Sequence, residues 1–241
     1  MEFNIREELI RKYNMGPNPI ALLKWNLEGL SIPPDSTVLD LGSGHGMTAV
    51  YLANVYGCTV FALDKWISAE DARAAMAEGL PSRWPIPLHG DARDLPFPSD
   101  YFDAIVCTDS FIYFGTDDMY IPYIAGFIKP GGRLCFTVPG FNKDVAGEAA
   151  LPEHLRPFWA DECWTWHTVE WWKNHVERTG KFKVTAAEAM QDSYHFWKEE
   201  AEKGPEEWMD KDLKVIEADK GEYMGFIKIV AEKKGAGLHS D

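Results

Sequence analysis

Residues 38–46 (VLDLGSGHG) join an apolar run, an acid near its end and three glycines at alternate positions, Gly42, Gly44 and Gly46. Glycines in such a turn let the backbone approach a ligand with no Cβ in the way and adopt positive φ. At the carboxyl edge of an open parallel sheet the turn faces the crevice where ligands bind. Alone it is a weak signal, because any tight strand-to-helix turn uses glycine. Two further acids strengthen it. Asp64 ends the next apolar run, where a carboxylate can accept both hydroxyls of a ribose. Asp91, within Gly90-Asp91-Ala92 after a third run, is placed to accept from an adenine amino group. Any one of these acids is consistent with a solvated loop residue; three at successive strand ends point to a nucleoside.

The first loop separates two kinds of nucleoside. Its spacing is G-x-G-x-G, with Met47 where G-x-G-x-x-G needs its last glycine, and Asp40 stands just before it. That acid would repel a pyrophosphate lying on the following helix N-terminus. It suits a ligand with an ammonium group and no phosphate, which is the methionine end of S-adenosylmethionine. An NAD-dependent oxidoreductase is therefore the weaker alternative, and a noncatalytic S-adenosylmethionine-binding regulatory protein stays open.

The elements that must hold these residues are legible from periodicity. Strands are expected at 37–41, 59–63, 86–89, 104–108 and 133–138, with helices between them at 47–56, 68–78 and 116–128, and that alternation implies a parallel sheet. Pro122 should kink the third helix or displace its start. Lys129-Pro-Gly-Gly132 reads as a turn into the fifth strand. Two helices precede the sheet within the first 30 residues, the second opened by Asn18 and Pro19, with Ile20, Leu23, Leu27 and Leu30 on one face. After Pro139 the chain turns to loops and aromatics, then a helix opened by Thr168 and closed by Gly180. Strands at 181–187 and 223–232 flank two more helices, the second with Pro205 near its start, and the tail from Lys233 reads as disordered. Seven of the ten tryptophans lie in this later part, at 159, 164, 166, 171, 172, 197 and 208; an aromatic-rich cap is the reading.

Bulk properties narrow the partners. The chain's 241 residues suit a single α/β domain, divided as N-terminal helices (1–30), a cofactor-binding core (31–139), a cap with a late strand (140–222), a last strand (223–232) and a tail. No apolar run approaches the ~20 residues of a membrane span, and the charged N-terminus lacks a secretory signal's apolar core, so a cytoplasmic address is expected. Cys58, Cys107, Cys135 and Cys163 stand far apart and read as buried hydrophobes, and the seven histidines show no metal-ligand spacing. A net charge of −14 with no basic stripe disfavours nucleic acid and fits a neutral or cationic small molecule, although acidity also serves solubility alone.

Over residues 37–138 the chain resembles the class I S-adenosylmethionine-dependent methyltransferases, in the broad group that includes the ubiquinone and menaquinone biosynthesis methyltransferases. The resemblance runs through VLDLGSGHG, FALD, GDARDLPF, FDAIVCTDSF and IKPGGRL, in the family order. It implies a doubly wound, mostly parallel seven-stranded sheet of the Rossmann-like methyltransferase type, its last strand antiparallel. It also implies that Gly42, Gly44 and Gly46 line the methionine and ribose, Asp64 the ribose hydroxyls, and Asp91 with the Ala92 amide the adenine. Asp40 would meet the amino group, directly or through water. Where the family often has an apolar residue to pack on adenine, Lys65 and Trp66 follow Asp64; Trp66 is the stacking candidate, core packing its alternative.

Methyl transfer is an in-line displacement at a sulfonium carbon, so the protein supplies alignment and dry surroundings. The segment 108–114 (TDSFIYF) lies by topology beside the transferable methyl, with Thr108 toward the cofactor. It lacks the N/D-P-P-Y sequence of enzymes acting on amide or base amino groups. Asp109 and Tyr113 are its groups for orienting or deprotonating a nucleophile; capping of the next turn and ordinary aromatic packing are their other roles. Tyr13 with Gly16-Pro17 resembles the N-terminal lid of the phosphoethanolamine methyltransferases, but Tyr113 stands near the place of their histidine, so that dyad is not reproduced. His167 and His195, among the late tryptophans, are expected to roof the acceptor pocket, with His167 a third candidate catalytic residue. An aromatic cage for a cation and a plain cap core are the two readings of those tryptophans.

Overall fold

The computed structural model describes residues 3–204 and 206–235. Seven strands form one sheet: β1 (Thr37–Leu41), β2 (Thr59–Asp64), β3 (Ile86–His89), β4 (Phe102–Thr108), β5 (Ile128–Phe141), β6 (Phe182–Ala189) and β7 (Met224–Lys233). Their order is β3-β2-β1-β4-β5-β7-β6. β1 to β5 pair in parallel, and β7 runs antiparallel to both β5 and β6. The chain winds outward from β1 to β3 and then returns to β4 on the other side of β1. The carboxyl ends of β1 and β4 are thus the switch point at which an open sheet leaves a crevice.

Helices cover both faces, which is why the central strands are apolar almost throughout. Below one face lie α1 (Glu7–Tyr13), α2 (Pro19–Asn26), α3 (Met47–Val55) and α4 (Ala69–Glu78), burying Leu9, Leu23, Val50 and Met76 with Val38, Val60 and Val106 of the strands. The opposite face packs α5 (Tyr120–Ala125) and α6 (Val169–Glu177) through Ile121, Ile124 and Trp172 on Leu39, Ile105 and Phe136. Val38 and Leu39 point to different cores, as a period of two requires. Two more helices, α7 (Ser193–Lys203) and α8 (Glu206–Asp219), lie between β6 and β7. Three helix starts are side-chain capped: the Asn18 carbonyl accepts from Ile20 and Ala21 N–H, Ser68 from Asp71, and Thr168 from Trp171.

Three expectations need correction. α5 begins at Tyr120 instead of 116: Pro122 falls in its first turn, where a missing N–H leaves no helical bond unmade. Lys129-Pro-Gly-Gly132 is a bulge inside β5 and not a turn before it. Phe102 faces Ile128 and Ala104 faces Arg133, so the surplus residues loop out, with Gly131 at φ +78°. Lys233 is part of β7, its ammonium donating to Asp100 and to the Ile128 carbonyl, both at 2.6 Å; the rest of the expected tail lies mostly outside the described residues. The four cysteines are buried and free, and among the described residues no helix is long and apolar enough to cross a membrane.

Candidate active site

The glycine loop after β1 is shaped by its hydrogen bonds to β2. Gly42 and Ser43 N–H donate to the Leu63 carbonyl, and Gly44 N–H donates to Asp64 Oδ2 at 2.7 Å. The other Asp64 oxygen accepts from Trp66 N–H at 2.7 Å and Ile67 N–H at 3.0 Å. One buried carboxylate thereby laces two loops together. Gly42 and Gly44 both have positive φ, +71° and +52°. A Cβ on Gly42 would lie 2.1 Å from Ser110 Oγ, so the loop after β4 can close on β1 only over a glycine.

Two cavities flank this loop and share Gly42, Asp64, Trp66, Ser110 and Tyr113 as a common wall. The first, of about 270 Å³, is completed by Lys65, Asp91, Ala92 and Arg93. There Asp91 is engaged: Lys65 Nζ donates to Oδ2 at 2.7 Å and Arg93 N–H to Oδ1 at 2.9 Å. The Lys65 ammonium, before other causes, holds its carboxyl below the usual range. Trp66 is 63% exposed and meets the Tyr113 ring edge-on at 5.2 Å. It is not a core residue, and the two rings stand over the passage between the cavities.

The second cavity, of about 260 Å³, lies between the glycine loop, the N-terminal segment, the loop after β4 and the cap. Thr108 is in its wall, with a buried hydroxyl that has no hydrogen-bond partner. Asp109 has φ +60° and its carboxylate packs on the Gly16 backbone, where a Cβ would come within 2.5 Å of Oδ2. Burial, then the nearby carboxylates of Glu162 and Asp212, push this carboxyl up to about 7. Burial, with Glu162 and Asp109, pushes the Tyr113 phenol up to about 12. Asp40 sits beneath the wall, accepting from Thr48 Oγ at 2.6 Å; its other oxygen is unpartnered, and burial pushes the carboxyl up to about 7. Thr48, not Asp40, meets the cavity.

Tyr13 straps the N-terminal helix across this site. Its hydroxyl donates to Glu78 at 2.7 Å, its carbonyl lies 3.1 Å from His45 Nδ1, and its ring leans on the His45 ring. Asp40, Asp64, Asp109, Thr108 and the glycines are therefore gathered at one sheet edge together with Tyr13 and Tyr113. His167 is not. It lies outside the cavity wall, stacked on Trp171 at 3.6 Å, and burial pushes its imidazole down to about 4, so it is neutral. His195 pairs with Asp192 on the surface, also away from the wall. The tryptophans divide between roles: Trp172 is fully buried in the main core, whereas Trp166 and Trp197 line the cavity; the Trp208 side chain lies outside the described residues. Sequence reasoning missed Glu162, whose signal was an acid inside the aromatic segment; Gly16 entered only through the lid resemblance and Ser110 only within the segment 108–114, without the contacts they make here. No group of three His, Cys, Asp or Glu among the described residues could hold a metal ion.

Known proteins agree with this geometry. Residues 38–132 match the family model described as a methyltransferase domain. The glycine/sarcosine/dimethylglycine N-methyltransferase of Actinopolyspora halophila is 32% identical over 130 residues, 53% of this chain and 22% of that protein. The sarcosine/dimethylglycine N-methyltransferase of Halorhodospira halochloris is 30% identical over 135 residues, 53% of this chain and 48% of that one. The chain thus spans from about a fifth to about half of the length of these relatives. In fold it is similar to Haemonchus contortus phosphoethanolamine N-methyltransferase 2, solved in complex with S-adenosyl-L-methionine, with a TM-score of 0.68 at 17% identity over 95% of this chain and 56% of that one. None of these singles out the ubiquinone and menaquinone group. With the loop, the strand-end acids and the sheet order in agreement, residues 38–132 are similar to a methyltransferase domain, and the chain has the fold of the class I S-adenosylmethionine-dependent methyltransferases.

Proposed function

We propose that this chain catalyses methyl transfer from S-adenosylmethionine to a neutral or cationic small-molecule acceptor. The observation that carries the reading is the pair of cavities sharing the Gly42–Asp64–Tyr113 wall, one beside Asp91 and Ala92 and the other beside Asp109. Bound there, the sulfonium would supply an activated methyl group and a neutral leaving group. The residues fit it. Gly42 and Gly44 leave backbone bare for the ribose and methionine, Asp64 has lone pairs for the hydroxyls, and the Thr108 hydroxyl is a buried group in want of a partner. Asp91 and the Ala92 backbone would hold adenine, with Lys65 fixing the Asp91 carboxylate and Trp66 covering the ring.

The acceptor would enter from the cap side. Among the described residues no Lys or Arg lines that cavity, which suits neither a phosphate backbone nor an acidic acceptor. Asp109 and Tyr113 would orient the nucleophile, and Tyr13 with α1 would exclude water. The names of the relatives support the reaction class, and their acceptors remain theirs. Calorimetric titration with S-adenosylhomocysteine and with NAD tests the reading: micromolar binding of the first alone is expected. Preference for NAD would overturn it. Binding without turnover across a broad acceptor screen would favour the regulatory reading.

A further inference from the structure

We propose that the cap side of the cavity beside Asp109 is built for an amine, bound as its ammonium between Asp109 and Glu162 and methylated on nitrogen. This rests on the methyl-transfer reading and narrows its acceptor. Among the described residues four carboxylates line the cavity, Asp64, Asp109, Glu162 and Asp212. Asp64 belongs to the cradle and already accepts three backbone N–H groups. The other three come from the loop after β4, the cap and α8, and none of them is part of the glycine loop or of the strand end that holds it. With no Lys or Arg among the described wall residues, their field favours a cation and rejects an anion. Trp166, Trp197 and Phe226 complete the same side, and ring faces add attraction for an ammonium.

A second observation points to a ligand. Thr108 Oγ and Trp166 Nε1 are in this wall, on residues only 8% and 9% exposed, and neither has a hydrogen-bond partner. An indole N–H can only donate. The acceptor must therefore bring an oxygen to it, and beside these carboxylates a hydroxyl fits better than a carboxylate.

The chemistry balances on these groups. An ammonium nitrogen has no lone pair, so one N–H proton passes to the Asp109 carboxylate, leaving the neutral amine. Its lone pair forms the C–N bond as the C–S bond of S-adenosylmethionine breaks; sulfur keeps that electron pair and the positive charge moves to nitrogen. Glu162, exposed at the rim, lies beside the charged product. Burial first, then Glu162 and Asp212 from the cap side, raise the Asp109 carboxyl, and Asp109 in turn raises Tyr113 and Cys107 beside it; this narrows the gap to the amine it must deprotonate.

The test titrates S-adenosylhomocysteine-loaded protein with N-methylethanolamine and with its neutral counterpart 2-methoxyethanol. The amine is expected to bind at least ten-fold tighter, and Glu162→Gln to cut that preference at least five-fold, with S-adenosylhomocysteine titrated first into each protein as the check of its fold. With S-adenosylmethionine, the dimethylated amine should form, and Asp109→Asn should lower kcat at least a hundred-fold, whereas Glu162→Gln should act mainly on KM. Equal binding of amine and ether by the loaded protein would overturn the amine proposal and leave methyl transfer standing. Failure of the unaltered protein to bind S-adenosylhomocysteine would overturn both.

Discussion

The two sides of the crevice are built on different principles. The nucleoside side is made by strand ends and by backbone: a glycine loop, a carboxylate that ties two turns together, and an acid held by a neighbouring lysine. The side proposed for the acceptor is made by side chains brought from four distant parts of the sequence, residues 13–19, 108–113, 158–166 and 197–226. A backbone cradle tolerates almost no change because its shape is the chain itself, whereas a side-chain wall can be altered one residue at a time. In a fold that keeps one cofactor and varies its acceptor, this division puts specificity where substitution is least costly.

Variants on the two sides should separate these roles. The largest effect is expected from Gly44→Val: a branched side chain at φ +52°, facing Met15 Sδ at 3.3 Å, should abolish measurable S-adenosylhomocysteine binding by calorimetry while the circular dichroism of the sheet persists. Retained binding would place the cofactor elsewhere. Next comes Asp64→Ala. Hydrogen bonds to a carboxylate contribute about 1.5–3 kcal/mol each, so affinity for S-adenosylhomocysteine should fall at least ten-fold, and an unchanged affinity would remove Asp64 from the ribose site.

Turnover should show a pH dependence that binding lacks. Asp109 acts as a base only when ionised, and its carboxyl is pushed up to about 7, so kcat should rise through pH 7 and level off above pH 8. A flat profile from pH 6 to 8 would take Asp109 out of proton transfer. The smallest effect belongs to Asp40, whose carboxyl is raised from 3.8 to about 7 by burial. Between those values the folded chain holds more protons than the unfolded one, so stability falls as pH rises from about 4 to about 7. Asp40→Asn should flatten that part of the Tm against pH curve, and an unaltered slope would show that another group carries it.

What could be read in the sequence follows the same division. The strand ends at Leu41, Asp64, His89 and Thr108 were legible because apolar period and glycine punctuation are local, and so were the Asn18 and Thr168 caps. The bulge at 129–132 was not, since it exists only through pairing with β4. His167 illustrates the limit on the site. Its position among aromatics was visible, but its stacking on Trp171, away from the cavity, depends on how α6 docks on the sheet. Gly16 was visible beside Pro17 as part of a lid, but its contact with Asp109, 93 positions along the chain, was not.

A crystal structure with S-adenosylhomocysteine bound tests the central claim most directly, because the claim is about which end of the ligand faces which wall. The adenine should lie between Trp66 and Ala92, the ribose hydroxyls on Asp64, and the sulfur should face the Thr108–Asp109 side of the crevice. A ligand in the reverse orientation, with its sulfur beside Asp91, would contradict the assignment of both cavities.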